Sequence, residues 1–312
     1  MKKDFLTLDD IKRSKMLEIF ELASKLKKKP FSKVLANKSF VLLFFKHSTR
    51  TRLSFEIGIE QLGGNSFYVD GEKTQMFRSE TPEDTANSIE RYVDCLIVRL
   101  YSHITLQRIS SNLDKPVINA LSDLSHPCQI LSDLFTIREV FKDLKGLKLA
   151  YIGDGNNVCN SLLLGCSKMG MDITVACPQG YEPNEEMIKI AKGYSQITKS
   201  KIEIVIDPEK AVKNANVVYT DAFYSMGQEE EKEKRMKVFL PKYQVNLELM
   251  EKAEPGAIFM HCLPAHRENE VTSELLDSNR SVVFDQAENR LHVQKALLIK
   301  ILGLDKVYPI LS

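Results

Sequence analysis

The chain has 312 residues, 43% of them hydrophobic and 27% charged, with a net charge of +1. That length suits two domains of about 150 residues each. The charge balance argues against nucleic acid or an anionic membrane as partner, and no apolar run is long enough to span a bilayer. The basic run Lys25-Leu26-Lys27-Lys28-Lys29 closes a helical pattern, where cations suit the dipole. The start, Met1-Lys2-Lys3-Asp4-Phe5, leads into a helix with no apolar leader, so no secretory signal is expected. Cys95, Cys128, Cys159, Cys166, Cys177 and Cys262 show no C-x-x-C spacing and mostly sit in apolar runs. They read as reduced, buried thiols, and the expected compartment is the cytoplasm.

Residues 9–27 predict an amphipathic helix with Ile11, Ile19, Ala23 and Leu26 on its face. Strand-like runs at 40–45, 66–69, 95–100 and 116–120 then alternate with helical ones. A helix from 128 to about 143 leads into a second series of strands at 148–152, 172–176, 203–206, 217–220, 257–260 and 282–284. A last helix is expected at 293–302, and the pattern does not say which half it joins. Such alternation predicts an α/β fold of two doubly wound parallel-sheet domains, bridged by the helix at 132–141, with the active site in the cleft between them.

Ser48, Thr49, Arg50, Thr51 and Arg52 follow the first strand run and open a helix with Phe55, Ile59 and Leu62 on one face. Two hydroxyls and two guanidiniums therefore stand where free backbone N–H groups and the helix dipole favour an anion. A guanidinium fork matches phosphate oxygens and keeps its charge. A single Ser-Thr-Arg would read as an ordinary N-cap, but arginines interleaved with threonines after a buried strand point to a dianion site.

The other polar clusters also sit at strand ends. Arg99 closes the third run. His126-Pro127-Cys128-Gln129 opens a helix after the fourth, with proline at its first position and His126 and Gln129 able to converge. Gly153-Asp154-Gly155-Asn156-Asn157 follows the first strand of the second series. Asp221 follows 217–220, His261-Cys262-Leu263-Pro264 follows 257–260, and 285–290 follow 282–284. Ligands of open parallel sheets bind outside the carboxyl ends of strands.

Gly153 to Asn157 looks at first like a dinucleotide fingerprint. Val158 stands where a third glycine is needed, and the next strand ends Ala176-Cys177-Pro178 without a ribose-binding acid, so no nicotinamide cofactor is expected. Asn157 is instead suited to hydrogen-bond a ligand. The run 228–237 reads as a solvated helix, and Gly227 before it suits a lid. His261, Cys262 and His266 hint at a metal, but Pro264 breaks any shared helical face and no fourth ligand is spaced for it, so no metal is expected. A nucleophilic Cys262 served by His261 is disfavoured because adjacent side chains on a strand point apart.

Taken together, the Ser-Thr-Arg-Thr-Arg run at 48–52, His126-Pro127-x-Gln129, Asp221-x-x-x-Ser225-Met226-Gly227 and His261-Cys262-Leu263-Pro264 resemble the aspartate/ornithine carbamoyltransferase family, over nearly the whole chain. The last two motifs look like the ornithine-using branch; the aspartate branch would carry Pro-Leu-Pro-Arg in place of the last. Phe45-Lys46-His47 departs from relatives that often have an acid and a proline there, at positions expected to support the loop.

The resemblance implies transfer of the carbamoyl group of carbamoyl phosphate to the side-chain amine of ornithine, giving citrulline and phosphate, as in arginine biosynthesis. It implies that 1–134, joined by the C-terminal helix 292–312, bind carbamoyl phosphate and that 135–291 bind ornithine. Ser48, Thr49, Arg50 and Thr51 would hold the phosphate. Arg99 would bridge phosphate and carbonyl oxygen, His126 would donate to that oxygen, and Gln129 would take the carbamoyl amine. Asn157, Asp221, Ser225 and Met226 would hold the amino-acid head of ornithine. Cys262 and Leu263 would line the point of attack, and Arg290 would close the phosphate side. Gln75 would reach in from a neighbouring subunit of a homotrimer. Two other readings remain: a carbamoyltransferase for another amine such as putrescine, which would keep 48–52 and 126–129, and a non-catalytic phosphate-binding module, which would need only Arg50 and Arg99.

Overall fold

The run from Ser39 to Phe44 forms the strand β1, buried from Phe40 onward. A central parallel strand covered on both faces has to be apolar throughout, which is why it does not alternate. β1 pairs in parallel with β2 (Asn65–Asp70) on one side and β3 (Cys95–Arg99) on the other, and β4 (Val117–Leu121) completes a sheet of order β2-β1-β3-β4. The computed structural model describes residues 3–224 and 229–306. They form two compact units, one of Met1–Phe135 with Glu288–Ser312 and the other of Thr136–Ala287.

The second unit carries β5 (Lys148–Ile152), β6 (Asp172–Ala176), β7 (Ile202–Val205), β8 (Val217–Thr220) and β9 (Ile258–His261) in the order β7-β6-β5-β8-β9, again all parallel. Each sheet therefore winds outward in both directions from its first strand. The switch point lies between β1 and β3 in the first unit and between β5 and β8 in the second. Loops leaving neighbouring strands there diverge to opposite sides, and the crevice between them receives ligands.

Local signals set the helix starts. Thr7 and Asp10 form a capping box around a short 3-10 turn, and the helix Arg13–Lys28 follows. Ser48 caps the helix Thr49–Gln61, accepting the N–H of Thr51 at 3.3 Å. Asn156 caps the helix Asn157–Met169, which ends at Gly170 in the left-handed region, where a glycine costs least. Around the second sheet a core forms from Phe223, Phe239, Phe259, Val218 and Ile152, with Phe223 and Phe239 stacked at 4.6 Å.

The run at 282–284 is a correction to the strand expectation. Phe259 and Ser281 form only an isolated bridge, and Val283 already begins the helix Val283–Ile301. That helix starts well before residue 293, because the apolar residues expected to pair as a strand instead form its first turn. Elsewhere the strand positions agree to within a residue or so at their ends. All six cysteines are free thiols, five of them buried and Cys262 half-buried. Among the described residues no helix is long and apolar enough to cross a membrane.

Candidate active site

In the first unit, four polar residues meet at the β1/β3 switch point and the neighbouring helix starts. Thr51 is 2% exposed on the first turn of the helix Thr49–Gln61, and Arg290 is 4% exposed on the helix Val283–Ile301. Arg290 Nη2 donates to Thr51 Oγ1 at 3.1 Å, and Nη1 donates to Gln129 Oε1. Gln129 Nε2 donates to Asp133 Oδ1 at 2.8 Å, one turn further along the helix Pro127–Phe141. The planar fork of Arg290 thus orients both side chains. Thr51 keeps its hydroxyl hydrogen for another acceptor, and Gln129 Oε1 keeps a second lone pair.

Arg99 and His126 are also buried here. The pairing of β3 with β4 slips between Val98 and Arg99. A bulge of this kind re-aims the side chain at a strand end. Burial, and then the charges of Arg290, Arg99 and Lys46, hold the imidazolium of His126 well below its ordinary pKa. His126 is therefore a neutral ring at pH 7, able to donate one N–H without bringing a charge.

The anion loop itself is less uniform than its sequence suggests. Ser48 and Arg50 are half-buried and Thr49 is exposed. Arg52 turns away: its Nε bonds both carboxylate oxygens of Glu56, at 3.1 and 3.0 Å, and its guanidinium lies 3.8 Å above the Tyr68 ring. Arg52, one of the two guanidiniums expected at the anion site, is thus engaged by Glu56 and Tyr68. The i,i+4 spacing of Arg52 to Glu56 was the available signal. Lys46 is half-buried and lies 5.1 Å from the Tyr101 ring, and its charge is felt at His126. Gln75 is exposed at the start of the short helix Gln75–Arg78.

In the second unit, Asp221 stands just past β8, at the β5/β8 switch point. Its Oδ2 accepts from Asn156 Nδ2 at 2.7 Å, and its Oδ1 accepts from the Cys262 thiol at 3.1 Å. Asn157 is half-buried on the first turn of its helix. Asn156 serves twice, because its Oδ1 accepts the N–H groups of Val158 and Cys159 while its amide holds Asp221. Gly155 is required by a close approach: a Cβ there would fall 2.2 Å from the Pro183 nitrogen. Ser225, Met226 and Gly227, expected to recognise the amino-acid head and hinge a lid, lie outside the described residues.

The charged run after residue 228 is not wholly solvated. Arg235, on the helix Lys232–Phe239, is 8% exposed. It donates to Asp154 at 2.9 Å, to the Phe223 carbonyl at 3.2 Å and to Glu231 at 2.9 Å. Burial pushes the Asp154 carboxyl up to about 6, with Arg235 pulling against it.

Cys262 and Leu263 follow β9 and are half-buried, with Leu263 in the left-handed region at φ 58°. Donor atoms of Asp221, His261 and Cys262 lie within 4.8 Å of one another, a spacing that could hold a metal ion. Both His261 nitrogens are already engaged, Nδ1 by the Leu263 N–H at 2.9 Å and Nε2 by Glu270 at 3.1 Å. A metal would have to break one of those contacts. Lys46, Asn156, Arg235 and Glu270 are thus the residues that sequence reasoning did not single out. Only the capping position of Asn156 was readable in advance.

Two parallel α/β units, each with polar residues at its switch point, define a ligand-binding α/β protein with a crevice in each unit. The carbamoyl-P binding domain of aspartate/ornithine carbamoyltransferase matches residues 3–139, and its Asp/Orn binding domain matches residues 145–301. The chain belongs to the aspartate/ornithine carbamoyltransferase family. It is 50% identical over 299 residues to the ornithine carbamoyltransferase of Bacillus thuringiensis subsp. konkukian, covering 96% of this chain and 94% of that one. Among solved structures it is similar to ornithine carbamoyltransferase from Pyrococcus furiosus, with a TM-score of 0.92, 46% identity and coverage of 96% and 97%. It is also similar to the anabolic ornithine carbamoyltransferase of Campylobacter jejuni, with a TM-score of 0.90, 39% identity and coverage of 98% and 99%.

Proposed function

We propose that the protein transfers the carbamoyl group from carbamoyl phosphate to the side-chain amine of L-ornithine, giving L-citrulline and phosphate. The observation that carries this reading is the Cys262 thiol donating to Asp221 at 3.1 Å. It joins the two motifs that resemble the ornithine branch, and a putrescine site would have no amino-acid head for Asp221 to meet.

In this reading Ser48, Thr49, Arg50 and Thr51 bind the phosphate, and Arg290 orients Thr51 toward it. Arg99 spans phosphate and carbonyl oxygen. His126 donates its neutral N–H to that oxygen, and Gln129 accepts from the carbamoyl amine. Asn157, Asp221, Ser225 and Met226 hold the α-amino and carboxylate end of ornithine, with Cys262 and Leu263 beside the attacking amine.

The ornithine amine has a solution pKa near that of lysine, so only ~0.1% is neutral at pH 7.4, a cost of about 4 kcal/mol. The neutral nitrogen attacks the carbamoyl carbon and forms the new C–N bond. The tetrahedral oxyanion is stabilised by Arg99, His126 and Thr51. The bond from carbon to the phosphate oxygen then breaks, and the departing phosphate takes the amine proton. Positioning of the two substrates supplies much of the remaining rate. The chemistry calls for no covalent intermediate, nicotinamide cofactor or metal.

We further propose a homotrimer, or a multiple of trimers, in which Gln75 completes a neighbour's site. The exposed position of Gln75 supports this, as does an apolar pocket lined by Phe45, Met76, Leu100 and Tyr101 within the same unit. Cytoplasmic arginine biosynthesis is the setting that this reaction and the reduced cysteines suit. The test is an assay of the purified protein with carbamoyl phosphate and a panel of amines. Citrulline formation from ornithine is expected; faster turnover of putrescine or aspartate would overturn the assignment.

A further inference from the structure

Glu270 is 1% exposed and sits between the turn after β9 and the short helix Ser273–Leu276. Its backbone is fixed by pairing with Val245, whose N–H it accepts at 2.9 Å. Its carboxylate reaches two places. Oε1 lies 3.1 Å from His261 Nε2 and accepts the His266 backbone N–H at 2.6 Å, while Oε2 lies 3.7 Å from His266 Nδ1.

The first contact acts on the Cys262–Leu263 turn. His261 Nδ1 accepts the Leu263 N–H at 2.9 Å, so its ring proton belongs on Nε2, facing Glu270. The ring is therefore held from both sides. Leu263 has φ 58°, a left-handed conformation that is unfavourable for a residue other than glycine. Such a conformation persists where its surroundings over-determine it. The clamped imidazole is one such constraint.

The second contact acts on the exit of β8. The His266 ring stacks on Tyr224, with centroids 5.1 Å apart and planes at 19°, and Lys232 lies 5.3 Å from the Tyr224 ring. Tyr224 is the last described residue before Ser225. We propose that Glu270 is a positioning residue for ornithine: one buried carboxylate sets the Cys262–Leu263 turn through His261 and the Asp221–Tyr224 segment through His266. Neither histidine needs to touch substrate.

This inference rests on the proposed ornithine reaction, and the variants separate the two. Glu270→Ala should lower kcat/KM for ornithine by about 10- to 100-fold, the scale of a displacement near 1 Å. Equilibrium binding of carbamoyl phosphate by the same protein should be unchanged, which also certifies its fold. Glu270→Gln should keep most of the activity, since its carbonyl oxygen still accepts from His261 and from the His266 backbone. His266→Ala should raise KM for ornithine more than it lowers kcat, and His266→Phe should restore it by keeping the stack. If Glu270→Ala does not fold, the His266 pair decides. Wild-type protein that turns over ornithine while Glu270→Ala matches it, or while His266→Phe is no better than His266→Ala, would overturn the positioning role. Wild-type protein inert toward ornithine would instead overturn the reading of the reaction.

Discussion

Arg290 and Thr51 are 239 residues apart in sequence and 3.1 Å apart in the fold. The same guanidinium also bonds Gln129, so a single side chain from the last long helix sets two side chains proposed to touch carbamoyl phosphate. Lysine offers a point charge on a flexible stem and cannot reproduce both bonds in one plane. Truncating one partner of a buried, hydrogen-bonded charge costs about 2–5 kcal/mol. Arg290→Lys and Arg290→Ala should both lower kcat/KM for carbamoyl phosphate at least tenfold in steady-state assays. A near-normal Arg290→Lys enzyme would show that the fork does not matter.

Asn156 holds Asp221 through its amide. Asn156→Asp keeps an N-cap for the helix but places a carboxylate against Asp221. Two carboxylates sharing a site raise one another's proton affinity. KM for ornithine should rise strongly at neutral pH, and its ratio to the wild-type value should narrow toward about pH 5 as the pair takes up a proton. A pH-independent ratio would argue against Asp221 as the group meeting ornithine.

Arg235 leaves Asp154 as an uncompensated buried acid when it is removed. Arg235→Ala should cost about 3 kcal/mol of unfolding free energy. Asp154 lies at about 6 with Arg235 pulling it down, so without Arg235 it titrates higher. The loss should be fullest above that raised value and shrink as the pH falls to about 6, where the carboxyl takes up its proton in folded wild type and variant alike. Urea unfolding at several pH values reads this directly, and Asp154→Asn in the Arg235→Ala background should recover part of the loss.

Lys295 is fully buried and donates to Gln61 Oε1 at 2.6 Å and to the Pro30 carbonyl at 3.2 Å. Burial lowers its pKa from 10.5 to about 8. Between those values the unfolded chain binds the proton that the folded one has released, so stability rises with pH. Below about 8 both states are protonated and the full penalty of burying the charge, roughly 3 kcal/mol, is present. Unfolding free energy relative to Lys295→Met should therefore increase by that order between pH 8 and 10.5. A flat difference would mean that the ammonium is solvated in the folded state.

Gln75 and Arg50 test the trimer. If each alanine variant alone is nearly inactive, co-refolding equal amounts should restore about a quarter of the sites, since a heterologous ring pairs the body of one chain with the loop of the next. Activity that remains at the level of the separate variants, in trimers shown to be mixed, would place each site within one chain.

The amino-acid sequence by itself determined the α/β class and most of the strands, because buried parallel strands are continuous apolar runs with turn residues after them. It also placed Ser48 to Thr51, Arg99, His126 and Asp221 at strand ends, where the switch points of the two sheets gather them. Tertiary structure alone decided which side chains turn inward. Arg50 and Arg52 look alike in sequence, yet Arg52 faces Glu56 and Tyr68 on its own surface. Arg235 read as part of a solvated run, yet it is buried, and so is Glu270, which no motif pointed to. Residues 282–284 passed as a strand, since a short apolar run reads alike in a strand and in a helix start. The i,i+4 pairing of Arg52 with Glu56 was legible. Asp154, the partner that buries Arg235, is 81 residues away in sequence, and hydrophobic periodicity, a local signal, carries no information about it.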